Sequence, residues 1–550
     1  RAAWVEGDFA DRPVPLAGEG GGVFAAEVEA ARAGSRYRFL LDGDAGRLTR
    51  LDPYCRRLTR DRAWCTVVDP ASYAWAARDL APLRREELVV YELHVGSFTA
   101  EGTLAAARAR LDALAELGVN AVELMPVHAF GGGARNWGYN PHLFLAVQPE
   151  LGEPDELRAF VDAAHARGIA VLLDLVINHA DGWRQAPLAC FDGHCPDGSW
   201  GVHFFPPGPY ATTPWGPRPS YPEPQVAAML EASARQWLAE YRGDGFRVDS
   251  VSNIRAIDGN GTTPGGREVL LAINQLTRAA GGVAIAEDLK GWDGITAPAA
   301  RGGLGFDAQW DGFGWEVMNL LVPYSDAERD LGVVARQLAG GYRGDGFARL
   351  LFTETHDTVG NGGARLPSRI DPGDPESAAA RRRSMLGAVL LMTTPGVPML
   401  FMGQEQLATG GLGNPAAPLA APTARGLEVR AFYRDLIALR RDAGGRTAGL
   451  LGREVSVLHR NDGNKVIAYR RGGEVVVVLN LRNRGYPRYD IGVPAGGTWR
   501  VAIDSDWRRY GSDFGGGQSG PLTALAEPRD GQPFTLPLRL APYGALVLTR

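Results

Sequence analysis

Short apolar segments that end in acidic or polar residues recur through the middle of the chain. The four clearest are residues 171–179, 245–249, 283–288 and 351–357. Continuous apolar runs of this length are typical of strands in parallel sheets, whose two faces are both buried. We therefore expect the polar residues to collect at the C-terminal ends of neighbouring strands.

The same pattern extends to eight predicted strands separated by amphipathic stretches. Between the first two strands, residues 104–117 place leucine and alanine at helical spacing. This alternation predicts an α/β fold, a (β/α)8 barrel whose C-terminal rim carries the active site. The predicted strands are Leu88 to Val95, Ala121 to Pro126, Ala170 to Ile177, Phe246 to Val248, Val283 to Glu287, Phe306 to Gln309, Leu350 to Thr355 and Val397 to Phe401.

The second of the four segments carries an arginine and an aspartate two residues apart. Side chains at i and i+2 of a strand share a face, so Arg247 can hold Asp249 ionised, as a carboxylate nucleophile requires. The alternative is a surface salt bridge at a strand end. The three other acid-bearing strand ends favour a functional site.

Five segments in order along the chain resemble the motifs of the α-amylase family of glycoside hydrolases. Four are the motifs Asp174–His179, Gly245–Asp249, Ala286–Asp288 and Thr355–Asp357, and Asn136–Pro141 is similar to the family's aromatic sugar platform. The resemblance covers nearly the whole chain and is most specific in the barrel. Within this family the chain most resembles α-amylases and 1,4-α-glucan branching enzymes.

The resemblance implies a retaining mechanism carried by three carboxylates. Asp249 would be the nucleophile, Glu287 the general acid/base, and Asp357 the residue that binds the 2- and 3-hydroxyls of the sugar. Cleavage passes through an oxocarbenium-like state, so one carboxyl must be protonated and the other ionised, about 5 to 5.5 Å apart. The residues implied to bind or orient the substrate are Tyr139, Trp137, His179, Arg247, His356 and Asp174.

Two of these residues have a second interpretation from the sequence. Trp137 and Tyr139 could be core aromatics, since such rings bury large areas. Their position beside Gly138 and Asn140, in a loop after the second strand, favours a sugar contact.

The rest of the chain predicts β-rich modules around the barrel. We predict an N-terminal β-sandwich over residues 1–80, similar to carbohydrate-binding modules of the family and truncated or processed at its start. The barrel would span 81–179 and 225–445, a Gly-, Pro- and Trp-rich inserted loop domain 180–224, and a C-terminal β-sandwich 446–550. Predicted strands of the two end modules are Phe24 to Val28, Tyr37 to Asp42, Trp64 to Val68, Val455 to Leu458, Lys465 to Tyr469, Glu474 to Leu479 and Tyr543 to Leu548.

Composition excludes several classes of partner. The formal net charge of -5 over 550 residues offers no broad basic surface for nucleic acid, and no apolar run is long enough to cross a bilayer. We interpret the short basic cluster Arg381–Arg383 as a solvated helix face. The expected partner is an α-1,4-glucan or maltooligosaccharide, and the expected oligomeric state is a monomer.

The four cysteines form two local pairs, Cys55 with Cys65 and Cys190 with Cys195. Their spacing does not fit a zinc site. Local disulfides would indicate an oxidising compartment, which favours secretion over a cytoplasmic location, while free thiols in a cytosolic protein remain the alternative.

The sequence leaves hydrolysis and transfer open. The segment after Glu287 and the tail after residue 432 resemble the corresponding segments of branching enzymes. Thr358, however, occupies a position where branching enzymes usually carry an acidic residue. The swollen loop and the cysteine pairs favour an endo-acting, starch-degrading hydrolase that releases maltooligosaccharides, with a branching transferase as the alternative. A non-catalytic binding subunit is a remote third, because all three carboxylates are present.

No cofactor is required by this chemistry, and calcium is left open. Asn178 matches a calcium ligand of α-amylases. The residues that follow the nucleophile, Ser252 and Asn253, differ from the pair in those enzymes, and Asp181 or Asp192 could supply further oxygen ligands.

Overall fold

The N-terminal module is a six-stranded antiparallel sheet. The computed structural model describes residues 2–43, 46–473 and 475–550, so Arg1 of the predicted first module and Glu474 of a predicted strand lie outside the described residues. The strands run in the order β3-β2-β1-β4-β5, with β6 paired to β4. They are β1 (Ala3–Gly7), β2 (Val14–Gly20), β3 (Val23–Ala25), β4 (Arg36–Gly43), β5 (Gly46–Arg50) and β6 (Cys65–Thr66).

Eight parallel strands close into the predicted barrel. In chain order the next ten strands are β7 (Val90–Leu93), β8 (Ala121–Leu124), β9 (His128–Phe130), β10 (Pro141–Val147), β11 (Ala170–Leu175), β12 (Gly245–Val248), β13 (Val283–Ala286), β14 (Ala308–Trp310), β15 (Arg349–Phe352) and β16 (Val397–Phe401). Strands β9 and β10 form a separate hairpin, and the other eight form the barrel, which β16 closes by pairing with β7. All eight predicted strands are confirmed, with ends shifted by a few residues.

Helices flank the barrel strands. They are α1 (Val95–Phe98), α2 (Leu104–Arg108), α3 (Leu111–Leu117), α4 (Pro154–His165), α5 (Pro224–Ala239), α6 (Val251–Ile254), α7 (Gly266–Ala279), α8 (Phe313–Leu321), α9 (Leu331–Ala339), α10 (His356–Val359), α11 (Leu366–Ile370), α12 (Ala378–Thr393) and α13 (Ala424–Arg440). The stretch predicted over 104–117 is two helices, α2 and α3. Both bury the leucine and alanine positions that the helical spacing indicated.

The segment between β11 and α5 is an ordered loop built on isolated bridges. Phe204 pairs with Pro219 and Thr212 with Pro217, and Arg218 is fully buried. The Arg218 guanidinium donates from Nε to the Asn253 carbonyl at 3.0 Å. The loop is therefore fixed to the segment that follows β12, beside the catalytic face.

The C-terminal module is a two-sheet β structure with its own core. One sheet has the order β17-β18-β19-β24-β21-β22, and the other pairs β20 with β23. Apolar side chains from both sheets, including Val476, Trp499 and Leu536, are fully buried. The strands are β17 (Val455–Asn461), β18 (Val466–Arg471), β19 (Val475–Asn480), β20 (Tyr486–Val493), β21 (Gly497–Asp504), β22 (Pro521–Ala524), β23 (Phe534–Leu540) and β24 (Ala545–Thr549).

The arginine cluster on α12 lies at the contact between this module and the barrel. Arg381 is 1% exposed and bonds the carboxylate of Asp513, while Arg382 bonds Asp506 at 2.5 Å. Arg383 donates to the carbonyls of Leu321 and Pro323, both at 3.0 Å. The interpretation of this cluster as a solvated face is therefore wrong. It came from the charge alone, and only the docked module shows that these charges have partners.

No helix in the described ranges is long and apolar enough to cross a membrane.

Candidate active site

Arg247 is the centre of a buried cluster of carboxylates at the C-terminal end of the barrel. Strands β11 and β12 pair in parallel with Asp174 opposite Arg247. The Arg247 Nη1 atom donates to both Asp174 oxygens at 2.8 Å and to Asp249 Oδ1 at 2.7 Å. Its Nη2 lies 3.2 Å from Glu287 Oε2. The strand geometry thus places Arg247 and Asp249 side by side, as the i and i+2 spacing predicted.

Glu287 is held by the backbone of the residue that follows Asp249. Ser250 has a left-handed conformation, with φ 41° and ψ 53°, and its N–H donates to Glu287 Oε2 at 2.6 Å. Backbone strain of this kind at a non-glycine residue is often stored at functional sites. Here it directs a backbone donor at the general acid/base candidate.

The two carboxylates have raised pKa values. Burial raises the pKa of Asp249 to about 6, although Arg247 opposes the shift, and Asp174 adds to it. Burial likewise raises the pKa of Glu287 to about 7, again against Arg247 and with help from Asp249 and Asp357. The pair can thus hold one proton near neutral pH, as cleavage of a glycosidic bond requires.

Asp357 lies on the open side of this cluster. Its side chain is 41% exposed and lies 3.4 Å from His356 Nε2, and its Oδ1 accepts a hydrogen bond from Asn361 at 3.1 Å. An exposed carboxylate held from two sides is suited to bind sugar hydroxyls.

His356 connects Asp357 to a buried glutamate on the first barrel strand. Its Nδ1 lies 2.5 Å from Glu92 Oε1, and its backbone N–H donates to Glu92 Oε2 at 3.1 Å. Burial lowers the pKa of His356, but Asp357 and Glu92 outweigh it and raise the pKa to about 9. The imidazole is therefore a cation at neutral pH and can donate to a sugar oxygen from Nε2.

The two aromatic residues of the platform segment occupy different places. Tyr139 stacks on His356 with ring centroids 4.8 Å apart and donates its hydroxyl to Asp174 at 2.5 Å. Trp137 is buried, packs edge-on against His356 at 5.6 Å, and donates from Nε1 to the Gly413 carbonyl at 2.7 Å. Both line the catalytic cleft, and Tyr139 reaches deepest into the charged cluster.

His179 lines the cleft beside Tyr139. Its Nε2 lies 2.6 Å from the Tyr139 carbonyl, and burial lowers its pKa to about 4. Its Nδ1 atom is buried without a hydrogen-bond partner within the described residues.

The cleft between these walls has a volume of about 370 Å³. The exposed indole of Trp215, from the loop between β11 and α5, lies 5.7 Å from the His179 ring and overhangs the cleft. The cleft thus brings together the three carboxylates and the aromatic and histidine contacts predicted from the sequence. Their catalytic roles, and the predicted separation of the two carboxyl groups, stay predictions.

Four residues that line the cleft, and one buried residue behind His356, were missed by sequence reasoning. These are Glu92, Ser250, Trp215, Asn361 and Asn414. Glu92 left a signal, a carboxylate inside an otherwise apolar strand. For Trp215 the sequence shows only that a tryptophan lies in a long loop. Its position in the structure cannot be predicted without the path of that loop.

The donors around Asn178 do not fit a calcium site. The Asn178 amide is fully buried, and neither of its polar atoms has a hydrogen-bond partner among the residues that the structure describes. Calcium needs six to eight oxygen ligands, yet no group of three or more metal-ligating side chains occurs in the described part of the chain. The nearest candidate in the sequence, Asp181, already accepts from Asn140 and Trp183 and contacts His142. We derive no step through calcium.

Two family profiles match the chain. One, described as the alpha amylase catalytic domain, matches residues 68–186. The other, described as the alpha amylase C-terminal all-beta domain, matches residues 457–550. They coincide with the part of the barrel that holds its first three strands, β7, β8 and β11, and with most of the C-terminal module.

Proteins named 1,4-alpha-glucan branching enzyme align with nearly the whole chain. The one from Corynebacterium efficiens is 30% identical over 94% of this chain and 74% of its own length. The one from Dechloromonas aromatica is 31% identical, over 96% and 89%. A solved pullulanase complexed with maltotetraose, from Anoxybacillus sp. LM18-11, has a TM-score of 0.77 at 18% identity, covering all of this chain and 84% of that one, and supports the fold alone. The chain therefore belongs to the α-amylase family of glucan-active enzymes.

Proposed function

We propose that this enzyme is a 1,4-α-glucan branching transglycosylase, which cleaves an α-1,4 bond and rejoins the cut chain to a 6-hydroxyl of a glucan. One observation carries the proposal. The relatives named for branching align with 94% and 96% of the chain, from the N-terminal sheet to the C-terminal module. The endo-acting hydrolase expected from the sequence becomes the second candidate.

The first step forms a covalent glycosyl enzyme. The Asp249 carboxylate attacks the anomeric carbon while Glu287 donates its proton to the glycosidic oxygen, and the bond between that carbon and oxygen breaks. The leaving chain departs with a new 4-hydroxyl. Asp357, His179 and the cationic His356 hold the sugar hydroxyls, with Tyr139 beneath the ring.

The second step transfers the glycosyl group. The ionised Glu287 accepts the proton of an incoming 6-hydroxyl, whose oxygen attacks the anomeric carbon and displaces Asp249. Two inversions retain the α configuration. One α-1,4 bond is replaced by one α-1,6 bond, so the number of reducing ends is unchanged.

An exposed tryptophan on the loop of Glu287 supports an acceptor site there. Trp292 is 42% exposed and follows Glu287 by five residues. Its ring lies 4.7 Å from the Arg255 guanidinium, which is fixed by Asp288 at 2.7 Å. We propose that this held indole contacts the incoming chain.

One local feature favours hydrolysis. Thr358 follows the pair His356 and Asp357, where the resemblance to the family implies an acidic residue in branching enzymes. Its hydroxyl accepts from the Thr355 backbone at 2.8 Å and closes a reciprocal cap with that residue. This position therefore adds no charge to the acceptor side.

Amylose incubated with the purified enzyme separates the two candidates. Branching gives α-1,6 anomeric proton signals by NMR without a matching rise in reducing ends. Hydrolysis gives reducing ends without α-1,6 signals, and that result would overturn the branching proposal. Asp249→Asn is the blank for both readouts.

We propose that both cysteine pairs are bonded in the working enzyme, which favours an oxidising compartment and secretion. Cys55 with Cys65 and Cys190 with Cys195 are disulfides in the structure, with Cα atoms 5.5 and 5.2 Å apart. Thiol titration of denatured, unreduced protein isolated from its native source should find no free thiol. Four free thiols would contradict this proposal and leave the branching proposal untouched.

A further inference from the structure

A second cavity of about 540 Å³ lies beside the catalytic cleft, between the N-terminal sheet and the inserted loop. Its walls include Arg50 and Leu51 from the end of β5, Leu58, and Trp183 and Pro187 from the loop. None of the predicted catalytic residues lines it. We call it the Trp183 groove.

The Trp183 groove shares a wall with the catalytic cleft. Asp181 accepts a hydrogen bond from Asn140 Nδ2 at 2.8 Å and lies 3.1 Å from His142 Nε2. Asn140 lines the catalytic cleft and His142 lines the groove. Asp181 thus contacts one residue of the cleft and one residue of the groove, so the two spaces adjoin at these side chains.

Trp183 presents an unused aromatic face to the groove. Its side chain is 57% exposed, the largest exposure of a tryptophan in the chain. Its backbone N–H donates to Asp181 Oδ1 at 2.8 Å, and its ring lies nearly parallel to His142, at an interplanar angle of 22°. The indole is thus held at the shared wall rather than packed in the core, and an exposed flat apolar ring is suited to stack on the C–H face of a sugar.

Hydrogen bonds and a disulfide link the walls of the groove. Arg50 donates to the carbonyls of Phe191 and Cys190, at 2.6 and 2.9 Å, and so ties the N-terminal sheet to the loop. The disulfide of Cys190 with Cys195 closes the same stretch of loop. On the other side Arg62 bonds the Glu150 carboxylate at 2.9 Å.

The charges of the groove fit a neutral ligand rich in hydroxyls. Of the three arginines in the walls, Arg62 is paired with the Glu150 carboxylate, while Arg50 and Arg184 donate to backbone carbonyls. The guanidinium groups thus already have hydrogen-bond acceptors from the protein. Apolar side chains such as Leu51, Leu58 and Pro187 share the walls with these polar groups. This mixture suits a glucan, whose rings have apolar faces and hydroxyl edges.

We propose that the Trp183 groove binds the part of a glucan chain that extends beyond the catalytic cleft, with one glucose ring stacked on Trp183. The inference rests on the proposed function only in taking an α-glucan as the substrate. On this proposal the inserted loop contributes one tryptophan to each cavity, Trp215 to the catalytic cleft and Trp183 to the groove.

The test compares ligands of different length in the inactive Asp249→Asn background. Calorimetric binding of maltotriose and of maltoheptaose is measured with and without Trp183→Ala. We expect the loss of the stacked ring to weaken maltoheptaose about three- to tenfold and to leave maltotriose unchanged. Trp183→Phe, which keeps an aromatic face, should retain most of the affinity, and Tyr324→Ala is the control for loss of an exposed ring outside both cavities.

Each remaining outcome has a distinct meaning. An equal loss for both sugars would place Trp183 in the catalytic cleft and overturn the groove. No loss for either sugar would also overturn it, provided that the background variant binds both. If that variant binds neither sugar, the proposed function fails together with this inference.

Discussion

The buried arginine of the active site and the buried arginine at the domain contact both pair with carboxylates and both favour their ionised form, yet the net pKa shifts of those carboxylates are opposite. Arg247 is shared by several carboxylates, so burial prevails and raises the pKa of Asp249 and Glu287. Arg381 gives Asp513 two hydrogen bonds, at 2.9 and 2.6 Å, and lowers its pKa. Asp513 is partly exposed and also accepts from Arg425, so its negative charge is well compensated. In the cleft Asp174, Asp249 and Glu287 surround a single arginine, and burial outweighs its stabilisation of their charges.

The largest expected effect follows from removing either half of the reactive pair. Asp249→Asn and Glu287→Gln should each lower turnover on amylose by at least about 10³-fold, because one removes the nucleophile and the other the proton donor. Both variants should keep the fold, since each relieves a surplus of carboxylates. Thermal melting checks this, and a variant with more than a tenth of wild-type turnover would break the assignment.

The pH profile tests the same pair without a mutation. Asp249 must be ionised and its pKa is about 6, so kcat/KM should fall about tenfold per unit below that value. Glu287 must be protonated and its pKa is about 7, so kcat/KM should fall likewise above it. A kcat/KM profile that is flat from pH 5 to 9 would contradict the raised pKa values of Asp249 and Glu287. As a control, Asp513→Asn should leave the pH profile of kcat/KM unchanged.

Tyr139→Ala should reduce kcat/KM by about ten- to a hundredfold, less than loss of a catalytic carboxylate. The ring supports the sugar and holds His356 by stacking, but it transfers no proton. Tyr139→Phe keeps the ring and removes only the bond to Asp174, so it should retain more activity. A loss as deep as that of Asp249→Asn, or no loss, would contradict a platform role.

Glu92→Gln should act through His356 and lower kcat/KM by about tenfold. Removal of the negative charge beside Nδ1 should move the pKa of His356 down from about 9, which NMR titration of the imidazole measures. Glu405→Gln is the matched control, since this buried glutamate contacts Tyr91 and Arg430 instead. An unmoved titration in Glu92→Gln would show that Glu92 is only structural.

Substitutions at the contact between the barrel and the C-terminal module should lower the stability of the protein and hardly change its activity. Asp513→Asn leaves the guanidinium of Arg381 buried with less compensation, so the free energy of unfolding should fall by about 2 kcal/mol. Activity should stay within about twofold, because the contact lies outside the catalytic cleft. Asp490→Asn, which breaks an exposed pair with Arg488, should change stability by less than about 0.5 kcal/mol. Equal effects of the two variants in urea unfolding would remove the distinction.

Local pattern was enough to predict the barrel and the place of its carboxylates. Apolar runs of strand length and helical spacing between them depend on which faces are buried, and both are visible in a single sequence. Because parallel strands present their C-terminal ends on one rim, Asp249, Glu287 and Asp357 could be expected together. The spacing of Arg247 and Asp249 predicted their contact because residues i and i+2 of a strand share a face.

Only the tertiary structure decided which distant residues meet. Glu92 reaches His356 across 264 positions of the chain, and Trp215 reaches His179 through the path of a long loop. Neither contact is signalled by a periodic pattern or by a fixed residue spacing in the sequence. The path of a loop without regular hydrogen bonding depends on the contacts that hold it in place.

The same limit explains the arginine cluster and the Trp183 groove. Residues 381–383 look alike in the sequence whether water or a docked module surrounds them, so their charge alone suggested a solvated face. The groove exists because Arg50 ties the N-terminal sheet to a loop about 140 residues away. The sequence by itself determined the local periodicity and the chemistry at strand ends. Packing between separate modules determined which charges are buried and where a tryptophan stays exposed, because burial is a property of the surrounding surfaces and not of the residue.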